Sequence, residues 1–160
     1  MKLVPVTSVN LDIYLRLIQS YEAEFSAITQ KRPNAEGVFA LDTQLGSYGD
    51  QEIIGYLVYT GDIPSGFAAI ACSEGAQYEI CEFYILPCFR RHKLGQRFAA
   101  AVWDIHRGDW CVKQIQGAEY ATHFWRNAIA SYLGTAPEED VYQDAYWGQV
   151  TRQRFTNNSQ

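Results

Sequence analysis

The 160-residue chain lacks several features that would assign it to a functional class at once. Its four cysteines form no C-x-x-C pair, and its three histidines have no metal-ligand spacing. We therefore predict reduced, structural thiols and no bound metal. The phosphate-binding motifs G-x-x-x-x-G-K-[ST] and G-x-G-x-x-G do not occur either, which argues against the nucleotide-binding classes that carry them.

Basic residues and long apolar runs are also scarce. The chain has 13 Lys and Arg against 18 Asp and Glu, and its pI of about 5.1 argues against a nucleic-acid-binding protein. No apolar run approaches the ~20 residues of a membrane helix. The N-terminal Met-Lys-Leu-Val-Pro-Val lacks the apolar core and cleavage site of a signal peptide. We expect a cytoplasmic protein that binds neither nucleic acid nor membrane.

The composition instead predicts a single folded domain over residues 1–156 with a flexible tail at 157–160. Hydrophobic residues make up 48% of the chain, enough for a substantial core at this length. Periodicity and turn residues predict the following elements. The strands are 3–7, 53–60, 64–72, 78–86, 110–116, 141–147 and 149–155, and the helices are 11–28, one starting near Arg91, and 121–133. The connection 29–51 reads as irregular and, at that length, functional.

The order of these elements predicts the fold class. The strand–helix–strand unit at 78–116 implies a right-handed crossover with parallel pairing, whereas the hairpins on either side are antiparallel. The result is an α/β (α+β) domain with a mixed central sheet of about six to seven strands flanked by helices.

The most informative segment is a cationic turn between a strand and a helix. Arg90, Arg91, Lys93 and Arg97 place 4 of the 13 basic residues within eight positions. The first N–H groups of a helix have no intrahelical partner, and the helix dipole is positive there, so such a turn suits an anion. This pattern favours a phosphate site over the alternative, a solvated basic surface.

This segment resembles the GNAT superfamily of acetyl-CoA-dependent N-acetyltransferases. In that family a strand ending in Val-x-Pro leads to Arg-x-x-Gly-x-Gly or Ala at the head of a helix, whose amides bind the coenzyme A pyrophosphate. Arg90 and Gly95 match the first and last positions, whereas Lys93 stands where the first glycine is expected. The resemblance implies that the chain binds acetyl-CoA. The residues it implies as coenzyme A contacts are Tyr84, Ile85, Leu86, Arg90, Arg91, His92, Lys93, Leu94, Gly95, Gln96, Arg97 and Trp125.

A second segment, 118–126, matches the family less well. Ala118 occupies the position of an Asn that contacts the pantetheine arm, and Trp125 the position of a Tyr that often protonates the departing thiol. Because an indole N–H cannot give up a proton at working pH, the usual acid is missing. The alternative for Trp125 is an aromatic helix face that fills the core. Tyr84 and Tyr120 are the other hydroxyls that could donate a proton.

The mechanism implied by the resemblance is direct attack of an amine on the thioester, which needs a base because an alkylamine has a pKa near ~10.4. Glu82, central in the strand 78–86, is the candidate catalytic base, and strict alternation places it on one face with Ile80 and Tyr84. Glu79 is the weaker choice. The alternative for Glu82 is an ion pair with Arg or Lys, or a path to solvent. A backbone N–H near Ile85 or Leu86 would bind the oxyanion.

Two functions therefore compete. The first is an N-acetyltransferase that acts on a small-molecule or protein amine. The second is a catalytically silent acyl-CoA-binding sensor or scaffold. Acidic residues near the last hairpin, Glu138, Glu139, Asp140 and Asp144, would suit a cationic acceptor or simply form a solvated surface. The oligomeric state stays open, a homodimer included.

Overall fold

The computed structural model describes residues 1–158, which form eight strands and three α-helices around one mixed sheet. In chain order these are β1 (Lys2–Pro5), α1 (Leu11–Thr29), β2 (Gly46–Tyr48), β3 (Gln51–Thr60), β4 (Ile63–Ser73), β5 (Gln77–Ile85), α2 (Leu94–Ile105), β6 (Asp109–Ile115), α3 (Glu119–Leu133), β7 (Glu138–Asp144) and β8 (Gly148–Thr156).

The sheet has the strand order β1-β3-β4-β5-β6-β8-β7, and β2 pairs with the other half of β3 beside β1. The neighbours β5 and β6 are parallel, whereas the other pairs are antiparallel. The predicted mixed α/β class is confirmed. The expected six to seven strands are eight, because β2 lies in the connection that the sequence analysis left irregular. Its three residues are all exposed, so no hydrophobic alternation marks them.

Helices cover both faces of the sheet. On one face α1 buries Tyr14, Leu17 and Ile18 against β3, β4 and β5, as their spacing of three and four predicts. On the other face α2 and α3 pack over a larger core that includes the fully buried Trp103 and Ile129. This layering leaves the ends of β5 and β6 between α1 on one side and α2 and α3 on the other.

Two helix boundaries depend on left-handed backbone. Gly134, with φ of 76°, ends α3, the conformation that glycine adopts without strain. In the β5–α2–β6 crossover, α2 begins at Leu94 rather than near Arg91, because a 3₁₀ turn at Pro87–Phe89 and two left-handed residues, His92 and Lys93, come before it. Basic residues expected within the first helical turn therefore lie in the loop before it.

The chain after β8 packs against the domain at Asn157, which the sequence analysis placed in a flexible tail. Asn157 is buried; its side chain accepts a hydrogen bond from the Gly108 amide at 2.9 Å and donates to the Trp103 carbonyl at 2.7 Å. The prediction is wrong at this residue because its amide satisfies backbone groups at the end of α2. Residues 159–160 lie outside the described residues.

Candidate functional site

The site begins where β5 and β6 separate. The two strands pair only from Gln77–Asp109 to Ile80–Val112 and then diverge. At the same point β5 has a bulge, because Ala69 of β4 pairs with Glu82 and Ile70 pairs with Ile80, which leaves Cys81 without a partner residue. A bulge re-aims the side chains that follow it.

This bulge corrects the predicted face of Glu82. Strict alternation would put Glu82 on the face of Ile80, but Ile80 packs in the core under α2 and α3, whereas Tyr84 packs with α1. Because Cys81 adds one residue, Glu82 shares the α1 face with Tyr84. The carboxyl therefore faces α1 and the connection 30–45.

The separated strands open into a cavity of about 730 Å³. Its walls come from the second half of α1, the connection 30–45, β5, β6, the starts of α2 and α3, and the β7–β8 hairpin. The bridging position between two sheet halves is a common place for a ligand site, since it combines backbone polar groups with apolar walls.

Glu82 lines this cavity and is 8% exposed. Burial is the main cause that raises the pKa of its carboxyl to about 7. The Thr43 hydroxyl donates a hydrogen bond to Oε1 at 2.9 Å, and the Tyr21 hydroxyl also contacts the carboxyl; both contacts lower the pKa. Within residues 1–158 Glu82 has no Lys or Arg partner, so the ion pair considered as an alternative is not formed.

The loop from Leu86 to the start of α2 has the geometry of an anion site. His92 and Lys93 are both left-handed, with φ of 55° and 56°. Consecutive N–H groups in such a turn form a concave donor site for anions. Among the described residues, the amides of His92, Lys93, Gly95 and Gln96 donate to no backbone carbonyl, whereas those of Leu94 and Arg97 close the turn.

Gly95 occupies a closely packed position at the head of α2. A Cβ built there would lie 3.1 Å from Cε2 of Phe124, which comes from α3. The absent side chain lets α2 begin directly beside α3 at the cavity edge. This observation gives a packing reason for the glycine that matches the last position of the family motif.

The predicted coenzyme A residues separate into two groups. Those that line the cavity are Tyr84, Ile85, Arg90, Lys93, Leu94, Gly95, Gln96 and Trp125. Arg91, His92 and Arg97 are exposed beside it and do not line it, and Leu86 is also outside the lining. The Leu86 amide donates to the Ser65 carbonyl at 2.9 Å, so it is not free to bind an oxyanion.

Arg90 is held by the protein itself. Its Nη1 and Nη2 donate to the two Glu24 oxygens at 2.8 and 2.9 Å, and its Nε donates to the Ile85 carbonyl at 2.8 Å. The Tyr84 hydroxyl also donates to Glu24 at 2.9 Å, and burial is the main cause that raises the Tyr84 pKa to about 12. Arg90 thus ties the loop to α1 and to the end of β5.

Trp125 is 5% exposed and packs its ring edge-on to Phe83 and Phe124 while it borders the cavity. Most of the Trp125 side chain therefore fills the core, as the alternative for this residue expected. Near the hairpin, Glu138, Glu139 and Asp140 are paired with arginines at Arg154, Arg126 and Arg152. Of the four acidic residues considered for a cationic acceptor, Asp144 alone lines the cavity.

Sequence reasoning missed Thr43, Tyr21 and Glu24, which contact Glu82 or Arg90 from distant parts of the chain. Tyr21 and Glu24 both lie within the predicted helix 11–28, and nothing in the local pattern distinguishes Glu24 from a solvated helix residue. The length of the predicted connection 29–51 was the one signal that pointed toward Thr43.

Two further observations apply to residues 1–158. No group of three His, Cys, Asp or Glu side chains is arranged to hold a metal ion. None of the helices is long and apolar enough to cross a membrane.

Comparison with solved structures identifies the architecture. A protein described as a GNAT-family acetyltransferase from Bacteroides thetaiotaomicron superposes with a TM-score of 0.60, covering 99% of this chain and 89% of the other at 12% identity. The fold is that of the GNAT acetyltransferases. The ribosomal-protein-S18-alanine N-acetyltransferase of Escherichia coli gives a TM-score of 0.64 at 8% identity, with 99% and 95% of the two chains covered.

A Bacillus subtilis acetyltransferase solved in complex with CoA has the same GNAT fold. It matches with a TM-score of 0.57 and 8% identity, over 97% of each chain. No protein-family model matches the sequence, and no curated protein matches it either. At these identities the likeness establishes the fold, while the chemistry depends on the residues of this chain.

Proposed function

We propose that the protein is an N-acetyltransferase that transfers an acetyl group from acetyl-CoA to a primary amine by direct attack. The observation that carries this proposal is Glu82: a buried carboxyl with a pKa of about 7 where β5 and β6 separate, lining a cavity that the loop before α2 also lines. The GNAT fold of structural neighbours, one of them bound to CoA, supports the cosubstrate.

The diphosphate of coenzyme A fits the loop before α2. The free amides of His92, Lys93, Gly95 and Gln96 provide donors, and the Lys93 ammonium adds a charge. The pantetheine arm would follow the unpaired edge of β5, in the way that an added strand pairs with an open sheet edge. Arg91 and Arg97, exposed beside the loop, suit the adenosine 3′-phosphate.

Glu82 would act on the acceptor. Its carboxylate takes a proton from the amine nitrogen, directly or through a water, as the nitrogen bonds to the thioester carbonyl carbon. A backbone N–H of β5 would donate a hydrogen bond to the oxyanion. Of the two predicted donors, Ile85 and Leu86, Ile85 remains, because the Leu86 amide is bonded to Ser65. The carbon–sulfur bond then breaks, and the sulfur leaves as a thiolate, whose pKa near ~8.5 makes expulsion feasible without a strong acid.

The acceptor class is a primary amine carried by a small molecule or a protein. Asp144 of the hairpin lines the cavity, and so do Glu22 and Asp42, which share the single Lys31 ammonium. These carboxyls together favour a cationic acceptor. A catalytically silent acyl-CoA-binding module is the alternative. It is favoured by Trp125, whose buried indole replaces the usual acid.

The test follows free thiol released from acetyl-CoA in the presence of a panel of amines and peptides. Turnover that falls by about 10²–10⁴ in E82Q, but far less in E79Q, supports the enzyme and its base. Glu79 is the matched comparison because it lies on the same strand but is paired with Lys113. Stabilisation by acetyl-CoA without thiol release on any amine would instead establish the silent module.

A further inference from the structure

The connection 30–45 is fastened to α1 by a set of contacts that the proposed reaction does not by itself require. The Gln19 side chain donates to the Phe39 carbonyl at 2.9 Å and accepts from the Phe39 amide at 2.8 Å. Such a two-bond clamp fixes one point of a segment that has no helix of its own. It brings the next residues back across α1 toward the cavity.

Lys31 fastens the same connection a second time. Its Nζ lies 3.2 Å from Glu22 Oε2 and 3.0 Å from Asp42 Oδ2, so one ammonium bridges a helix carboxylate and a connection carboxylate. The Glu22 side chain is only 4% exposed, and Lys31 22%. A buried carboxylate of this kind needs a cation partner, which makes the bridge a fixed contact rather than a solvated surface pair.

The bridge ends beside the candidate base. Thr43 follows Asp42 directly, and its hydroxyl donates to Glu82 Oε1 at 2.9 Å. Because the Asp42 carboxylate is held by Lys31, the backbone that carries Thr43 is held as well. The Glu22–Lys31–Asp42 bridge and the adjacent Thr43 thus form one path from α1 to Glu82, and the Gln19–Phe39 clamp holds the same connection at a separate point.

We propose that Lys31 and Thr43 are positioning residues for Glu82: Lys31 anchors the connection to α1, and Thr43 orients the carboxyl through its hydrogen bond. This inference rests on the proposed function for its catalytic meaning, but its physical content concerns the protonation of Glu82 alone. The Lys31 ammonium also offsets part of the negative charge of Glu22 and Asp42, two carboxylates that disfavour the charged form of Glu82.

Glu82 has other neighbours that enter its titration. The groups that face it are Tyr14, Tyr21 and Glu22 from α1, Asp42 and Thr43 from the connection, and Cys81 from its own strand. Tyr14, Tyr21 and Cys81 remain neutral near pH 7 because burial raises their pKa values. Burial is the largest cause of the Glu82 shift; beyond it, the pKa of Glu82 depends on the Tyr21 and Thr43 hydroxyls and on the charges of Glu22 and Asp42, which the Lys31 ammonium partly offsets.

The test measures the titration of the Glu82 carboxyl directly, by carbon-13 NMR of the full chain, with E82Q to assign the signal. We expect T43V to move the midpoint upward by about half to one pH unit, because a hydrogen bond to the charged form is lost, and T43S to restore it. K31M should also move it upward, because Glu22 and Asp42 lose their cation. The control is R16M, which breaks an exposed ion pair on the same helix, with both side chains more than 60% exposed.

The outcomes separate the two proposals. An unmoved Glu82 midpoint in T43V and K31M, or an equal movement in R16M, would overturn the positioning role, whatever the turnover. If wild-type protein releases no thiol with any amine, the proposed enzyme fails while the titration still decides whether the two residues adjust Glu82. Where turnover is present, the midpoint at which kcat/KM falls toward acid pH should move with the NMR midpoint of Glu82. K31R, which keeps the positive charge, should reverse most of the movement seen in K31M.

Discussion

Arg90 and Glu24 form a bidentate ion pair that joins the loop before α2 to the helix on the opposite face of the sheet, with nitrogen–oxygen distances of 2.8 and 2.9 Å. The sequence analysis assigned Arg90 to the coenzyme A phosphates. In the structure its guanidinium is engaged by a carboxylate, so any phosphate that it contacts must compete with Glu24.

The first prediction concerns this pair. E24Q removes the competing negative charge and should tighten acetyl-CoA binding by about threefold, because Arg90 and the loop then present a more positive site. Both side chains are about 40% exposed, so the stability lost should be only about 0.5–1 kcal/mol. Calorimetric titration and thermal unfolding of E24Q, R90Q and the double variant provide the check. Weaker binding in E24Q would mean that Glu24 is needed to hold Arg90 and the loop in place.

The second prediction concerns Lys93, whose φ of 56° places a non-glycine residue in left-handed backbone. K93G should leave stability unchanged or raise it by up to about 1 kcal/mol, because backbone strain is relieved. It should nevertheless weaken acetyl-CoA binding at low salt, because the ammonium is lost. K93N, which tolerates the same backbone, separates the two effects. Unchanged affinity in both variants would leave the backbone amides as the sole phosphate donors.

The third prediction is the pH dependence of turnover. The folded pKa of Glu82 is raised to about 7, mainly by burial, so the base is protonated below this value and charged above it. We therefore expect kcat/KM to rise with pH through about 7 and to lose this limb in E82Q. If kcat/KM instead rises at about pH 4 to 5, where an exposed carboxyl titrates, the group that controls turnover is not a buried Glu82 with a raised pKa.

The fourth prediction concerns Gly66, which lies on β4 opposite Ile85. A Cβ at this position would come within 2.2 Å of the Tyr84 carbonyl oxygen and 2.8 Å of Ile85 Cδ1. G66A should therefore destabilise the fold by about 2 kcal/mol and displace the end of β5. Denaturant unfolding measures the loss. G37A provides a comparison at an exposed turn, where the added carbon meets no atom and the only cost, about 1 kcal/mol, is that of left-handed backbone with φ of 79°. A loss in G66A no larger than that in G37A would mean that strand contact at Gly66 is unimportant.

Local patterns were sufficient to predict the element order and the mixed sheet. Helical spacing identified α1 and α3, and the Gly61-Asp62 turn joins β3 and β4 as expected. The basic turn and Gly95 located the head of α2, although three residues too early. Those features depend on residues close in sequence, which is why the sequence carries them.

The environment of Glu82 could not be predicted in the same way. Thr43 is 39 residues away along the chain, and it lies on an irregular segment that contacts α1 through Gln19 and through the Lys31 bridge. The face of Glu82 was predicted wrongly relative to Ile80, because strict alternation does not anticipate the extra residue at Cys81. Likewise, no local rule indicates that Arg90 finds Glu24 in the first helix.

The unpaired Cys81 has one more consequence. Its side chain contributes no acid–base chemistry near neutral pH, since burial raises the pKa of the thiol to about 12. What matters is the extra position in the backbone. If the bulge straightened with Cys81 retained, strict alternation would turn Phe83 toward α1 and send the Glu82 carboxyl into the aromatic core. Deletion of Cys81 would instead let Ile80 and Glu82 follow one another in a regular ladder, and both would keep their present faces. The orientation of Glu82 therefore tolerates loss of this residue but not loss of the bulge around it.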